Sequence, residues 1–461
     1  MLIALALAIL AIPILLQRSV RAGARSGQPQ PLDLGIFFAW VASAYGALPV
    51  LGIALAGWDI GAVQDHRLGS AVPEEPTVAR VGFMYLAFLV GFASVYGVLQ
   101  AGPHTTTGAQ GAGRPSHRDF WIAIALLVFI KTTMFVSRAA LGIEQGEDYL
   151  ATYLEFAGQP LIVQQMIGVL SASELSATIL VIVVVLARNP RWHVWLGVLI
   201  LLQVGAAIAG GGSRSLAFSC ALAYVVARSI YDRRLRFSFV VIAGAIGLAL
   251  FLLAGLIRQS GFGADVSGLY LLQGGEFLSI FYNSVDLSER LGELDNPALR
   301  AGIYAVDLLR LVPRQIVGDL KLDPATFYVS TFYPEFSEAG GGLAFGAIAE
   351  STIGFGAVEA LVRGAILGCV YALVRNGCLI GRMTVLKAFI YTWFVVLSYQ
   401  AIRDTTFSVF PRFLFQVVPL LIVLWALGAL RGARAGRRRR YPRGLRPVGG
   451  HEPTRKTLTA P

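Results

Sequence analysis

The sequence predicts an all-α polytopic integral membrane protein of about 11 transmembrane helices, and three observations carry that expectation. Mean hydropathy is +0.66 over 461 residues, with 56% hydrophobic and only 14% charged residues, a balance outside that of soluble domains of this length. Apolar runs long enough to cross a bilayer recur along the chain. Arg and Lys gather in one alternate set of short loops, and acids in the other.

The apolar runs lie near 2–16, 33–57, 81–100, 119–137, 168–187, 194–211, 215–231, 237–257, 343–374, 383–402 and 407–430. The first begins without a basic flank, and Arg18, Arg21 and Arg25 follow it, so it reads as an anchor with its N-terminus outside and not as a cleaved leader. Arg114 and Arg118, Arg188 and Arg191, Arg233, Arg234 and Arg236, and Arg375 and Arg382 mark further cytoplasmic loops. Asp59, Asp65, Glu74 and Glu75, then Glu144, Glu147, Asp148 and Glu155, mark outward ones. The expected organisation is a membrane domain over 1–430 and a basic, disordered cytoplasmic tail over 431–461.

Net charge is +11, but residues 431–461 hold ten Arg and Lys against Glu452 alone. Basicity confined to a tail fits the surface of anionic lipid, and no nucleic-acid partner is implied. Cys220, Cys369 and Cys378 show neither metal-ligand spacing nor a disulfide framework, and no cofactor is expected.

One outward loop, Arg258 to Gly342, is far longer than the rest, and ordered loops of that length are usually functional. Within it, "EFLSIFYNSVDLSERL" and "AGIYAVDLLRLV" space apolar residues as helical stripes. They read either as interfacial helices on the outer leaflet or as helices packed on the bundle.

The ninth span, 343–374, would reach about 48 Å as one helix against a hydrocarbon core of about 30 Å, so it must tilt, kink or re-enter. Gly340, Gly341, Gly342, Gly346, Gly354 and Gly356 supply places to break it. Broken backbone at membrane depth requires protein or water to satisfy it. Glu350 lies within this span, where a carboxylate is expensive and functional by default; it is either a proton acceptor or the hydrogen bond that closes the break. Glu359 and Arg363 have the spacing and order of a helical ion pair, and Lys131 and Glu174 are placed to form a structural pair.

Arg214 in "GGGSRS", Arg258, Arg403 and the loop residue Arg314 cluster topologically at the outer side. Guanidinium forks bind phosphate bidentately, which suits a lipid-linked diphosphate; single arginines also snorkel at span ends. Of the histidines only His66 falls outside, far from these motifs, so a carboxylate must serve where a base is needed.

"LVPRQIVGDLKLDP", followed by "EAGGGLAFGAIAESTIGFGAVEA", resembles the Wzy-type O-antigen polymerases, the oligosaccharide repeat unit polymerase family. The "GGGSRS" element is similar to that family's Gly/Ser/Arg signature. Ser351 and Thr352 stand where the family often has an aromatic after the acid, and Arg403 is followed directly by Asp404. The resemblance implies a metal-independent type C glycosyltransferase architecture in a bacterial inner membrane, with the N-terminus periplasmic and the C-terminus cytoplasmic. Its activity would be polymerisation of undecaprenyl-diphosphate-linked oligosaccharide repeat units for O-antigen or another exopolysaccharide. It allows a chain-length regulator as partner.

By that resemblance Glu350, Asp404 and Glu338 are the catalytic candidates. Arg214, Ser215, Arg258, Arg314, Lys321, Tyr333 and Arg403 would bind diphosphate or substrate, and Gly340 to Gly342 would form the entrance. A ligase of lipid-linked oligosaccharide is a rival, although the loop from Arg258 to Gly342 lacks the His such ligases usually carry. A transporter or flippase is the non-enzyme rival and predicts internal repeats with paired broken helices.

Overall fold

The computed structural model describes residues 1–23, 32–56, 74–100, 115–140, 160–189, 192, 196–197, 200, 214–231, 275–290, 304–309, 312, 324–338, 344–381 and 383–429. All regular structure among them is helical. Five long helices come first: α1 (Leu2–Gly23), α2 (Leu34–Ala56), α3 (Glu75–Gln100), α4 (His117–Ala140) and α5 (Leu161–Arg188). Then come α6 (Arg214–Tyr231), α7 (Gly275–Glu289), α8 (Pro324–Phe332) and α9 (Pro334–Glu338). The last third holds α10 (Ala347–Ile353), α11 (Ala357–Leu379), α12 (Val385–Leu397), α13 (Gln400–Arg403), α14 (Val409–Arg412), a π-helical turn at Phe413–Val417, and α15 (Val418–Ala426).

Among the described residues, eight helices are long and apolar enough to cross a membrane, and the shorter Phe218–Tyr231 is apolar as well. The protein is therefore an α-helical, multi-pass membrane protein. The expected span at 237–257, and nearly all of that at 194–211, lies outside the described residues.

Close backbone approach holds the bundle together where α3 meets α11. A Cβ on Gly91 would stand 2.1 Å from the Leu361 carbonyl oxygen, one on Gly364 2.0 Å from that of Phe88, and one on Gly368 2.5 Å from that of Phe92. Only small residues permit such contact between membrane helices, where tight packing replaces the hydrophobic drive available in water. Because Phe88 meets Gly364 and Phe92, one turn on, meets Gly368, α3 and α11 run in the same direction. Phe38 on α2 closes the layer behind them, with its ring 4.7 Å from Phe92 and 5.2 Å from Tyr371.

Polar ties fix the other elements. Tyr96 Oη donates to Asp33 Oδ1 at 2.7 Å, Gln100 Nε2 to Asp33 Oδ2 at 2.9 Å, and Arg375 Nε to Asp33 Oδ2 at 2.7 Å, so one carboxylate gathers the ends of α2, α3 and α11. Lys131 Nζ on α4 meets Glu174 Oε1 on α5 at 2.6 Å, the pair expected from their placement. Trp393 on α12 is fully buried, and its Nε1 donates to Ser176 Oγ at 3.0 Å.

Of the two readings open for "EFLSIFYNSVDLSERL", the structure takes packing on the bundle. Leu278, Ile280, Phe281, Tyr282, Val285 and Leu287 of α7 are all buried, too many faces for a helix lying on a leaflet. Phe281 stacks on Tyr85 with centroids 5.7 Å apart, and Phe277 meets Tyr45 at 4.6 Å.

Candidate functional site

The expected ninth span is interrupted, as its length requires. After α10 the chain turns through Gly354, Phe355 and Gly356 and only then begins α11. Gly346 and Gly356 have φ of +95° and +61°, left-handed conformations that a side chain would strain. Gly354 is required for a different reason: a Cβ there would lie 1.8 Å from Glu359 Oε2. The Met84 side chain lies 3.8 Å from a Cβ placed on Gly356. Counted along α3 from Glu75, that is about 13 Å into the helix.

Backbone groups freed by the break are satisfied within the protein, the condition for irregular chain in a bilayer. Phe355 N donates to Glu359 Oε2 at 2.9 Å and Gly356 N to Ser351 O at 2.7 Å. Gly346 N, at the start of α10, donates to Asp404 O at 2.6 Å. That last bond ties the Gly-rich segment to the turn between α13 and α14, which joins two of the candidate spans.

Glu350 completes the junction. It is wholly buried, and its Oε2 accepts from Thr406 N at 2.9 Å, Thr406 Oγ1 at 3.0 Å and Arg363 Nη1 at 3.1 Å. Arg363 also meets Glu359 Oε1 through Nε at 2.6 Å and Asp307 Oδ2 through Nη1 at 2.8 Å, and its guanidinium lies 5.6 Å from the centre of the Phe407 ring. Tyr304 Oη donates to Glu359 Oε2 at 2.6 Å. Tyr304 and Asp307 belong to a helical segment at 304–309, so this part of the long loop docks on α11.

Three carboxylates around one guanidinium make an acid-rich setting. A diphosphate gains nothing from approaching it. Of the arginines expected to bind a diphosphate, Arg403 lies at this junction. It ends α13 half-buried, beside Asp404, which is paired with Arg412. Arg214 and Ser215 open α6, and one turn later Phe218 packs edge-on against Tyr399 at 6.5 Å. The Gly/Ser/Arg element thus leads into the helix that packs on the turn just before Arg403. Arg258, Arg314, Lys321 and Gly340, Gly341 and Gly342 lie outside the described residues.

Glu338 and Tyr333 sit apart from Glu350. Glu338 is exposed at the end of α9. Tyr333 joins a second cluster at the C-terminal end of α7, where Asp286 accepts from Tyr328 Oη and Tyr333 Oη, each at 2.6 Å, and from Arg290 Nε at 2.9 Å. Burial and the bond to Asp286 push the Tyr333 phenol up to about 12, and the bond to Asp286 raises Arg290 further. Tyr328 packs on Phe345 at 5.9 Å, which couples this cluster to the start of α10.

Sequence reasoning missed Asp286, Asp307 and Asp33. The i, i+4 spacing of Asp286 and Arg290 in "NSVDLSER" was a usable signal. Asp307 and Asp33 find partners 56 and 342 positions away, and no local pattern announces those. Among the described residues no group of His, Cys, Asp and Glu could hold a metal ion. Comparison of the chain with protein-family models, with curated proteins and with solved structures finds no match.

Proposed function

We propose that the protein is a glycosyltransferase that joins lipid-diphosphate-linked oligosaccharide repeat units at the outer face of a bacterial inner membrane. One observation carries this reading: segments the resemblance assigns to a common site, far apart in sequence, converge on one buried junction. Gly346 meets Asp404, Glu350 meets Thr406, and α6, which Arg214 opens, packs through Phe218 beside the turn that leads to Arg403.

Within this proposal the carboxylates divide the work. Glu350 is enclosed and already receives three donors, so it acts as a positioning residue that locks the broken span to the turn at 404–406. Asp404 is partly exposed at the same junction and is the carboxylate an acceptor hydroxyl can reach, so it takes the proton as the sugar oxygen attacks the anomeric carbon. The leaving diphosphate is stabilised by arginines, Arg403 among them, through charge-assisted hydrogen bonds.

The decisive experiment supplies the purified chain, in lipid nanodiscs, with lipid-diphosphate-linked repeat units and resolves the products by length. Chains of several units on one lipid support the proposal. Unchanged single units, with intact protein and no added factor restoring growth, overturn it.

One observation favours a transport reading: the broken helix formed by α10 and α11 packs at the turn that joins two candidate spans, and broken helices occur in secondary transporters. Among the described residues α1 to α5 are continuous, so the break has no counterpart there. Movement of intact lipid-linked units across the nanodisc-matched proteoliposome, without chain growth, would select transport.

A further inference from the structure

The cluster around Asp286 is built like a ligand surface and has no task in the reaction above. Phe332 and Tyr333 sit half-buried at the joint between α8 and α9, and the Arg290 guanidinium stands 5.2 Å from the Phe332 ring centre and 5.7 Å from that of Tyr333. Asp286 lies beneath with 11% of its side chain exposed, whereas Arg290 keeps 33%. Glu289 is exposed beside them, and burial together with Asp286 and Glu74 pushes its carboxyl upward.

The electrostatics restrict what can bind. A cation meets Arg290, which already occupies the attractive position over both rings. An anion meets Asp286 and Glu289. What fits is a neutral molecule that offers an apolar face to a ring and both donors and acceptors at its edge. A pyranose has that form, with C–H groups on one face and hydroxyls around the rim.

We propose that Phe332, Tyr333, Arg290 and Asp286 form an outer-face subsite for a neutral saccharide unit of the acceptor chain. The identification of the saccharide as acceptor rests on the glycosyltransferase reading; the chemical class of the ligand does not. Tyr328 and Phe345 connect this subsite to the start of α10, so sugar bound here is held a few residues from the junction that carries Glu350 and Asp404.

The test uses the full chain in nanodiscs and, as probe, the free oligosaccharide released by mild acid from the lipid-linked repeat unit of the source cell. Saturation-transfer NMR should show contact with aromatic protons, and Phe332→Ala and Arg290→Gln should each raise the dissociation constant at least tenfold. Arg290→Gln is the arbiter if Phe332→Ala lowers thermal stability, because a third of the Arg290 side chain is exposed and glutamine can still donate to Asp286. Unchanged affinity in folded Arg290→Gln overturns the subsite. Binding that depends on Arg290 in a protein that never lengthens chains keeps the subsite and removes the polymerase. Chain growth with an unaltered acceptor KM in the variant does the reverse.

Discussion

Arg375 Nε lies 2.7 Å from Asp33 Oδ2, joining residues 342 positions apart, and neither side chain is more than 7% exposed. Asp33 Oδ1 also accepts from Gly35 N and Ile36 N and so caps the first turn of α2. Removing one partner of a buried pair typically costs about 3–5 kcal/mol, because the other charge is left without compensation. Arg375→Met should therefore lower the unfolding temperature in detergent far more than Lys387→Met, since Lys387 donates to the Ile380 carbonyl in an exposed contact. Equal losses would show that the Asp33 pair contributes little.

The close contact between α3 and α11 makes a steric prediction. Gly364→Val places two methyl groups where only 2.0 Å separates a Cβ from the Phe88 carbonyl, so the helices must part and the variant should be lost from the membrane fraction. Gly377→Val, on the same helix with nothing within 4 Å, should accumulate normally. Quantitative immunoblotting of both variants checks this.

The two junction carboxylates should separate in kinetics. Asp404→Asn should reduce chain formation by about 10²-fold or more, the usual worth of a positioned base. Glu350→Gln should retain more than about a tenth of wild-type turnover, because an amide oxygen still accepts from Thr406, while Glu350→Ala should fail. If Glu350→Gln is as inactive as Asp404→Asn and binds donor normally, the proton acceptor is Glu350.

Glu289 gives a pH signature. Its carboxyl is raised in the folded protein by burial and by Asp286 and Glu74, so its contribution is favourable when protonated. That contribution is present below the ordinary carboxylate value and disappears as pH rises through the raised one. Glu289→Gln should accordingly be more stable than wild type at pH 7, with the difference shrinking as the pH falls toward 4. A constant difference across that range would trace the effect to something other than ionisation.

Orientation rests on loop charge and is directly testable. A cysteine at Ser337, at the end of the long loop, should react with an impermeant thiol reagent in intact cells, and one at Gly377 should not. Reversed labelling would move the junction's loop to the cytoplasm and end the proposal of an extracytoplasmic lipid-linked donor.

The sequence made much of the fold legible because hydropathy acts over whole helices: each of the eight candidate spans corresponds to an expected apolar run. The break at Gly354–Gly356 was legible for the same reason, since a run that long cannot cross straight. The partners of Glu350 were not legible. Arg363 follows it by 13 positions and Thr406 by 56, and both meet it only because the break in one span is packed against the turn between two others. Glu359 and Arg363, four apart on one helix, could be paired on sight; Asp307, delivered by a loop, could not.

Arg363 and Arg375 stand twelve residues apart on α11, about 18 Å along one rigid rod. Each is anchored by carboxylates from other segments, and between them the glycines press the rod against α3. Mechanically, α11 is the frame and α10 the arm, with Gly354 to Gly356 as the bearing. Displacing the arm would break the bonds from Glu350 to Arg363 and Thr406 and from Gly346 to Asp404, and would uncover a helix whose residues are all buried. The Asp33 end of the bundle shares none of these contacts, so a load at the junction is met first at Arg363.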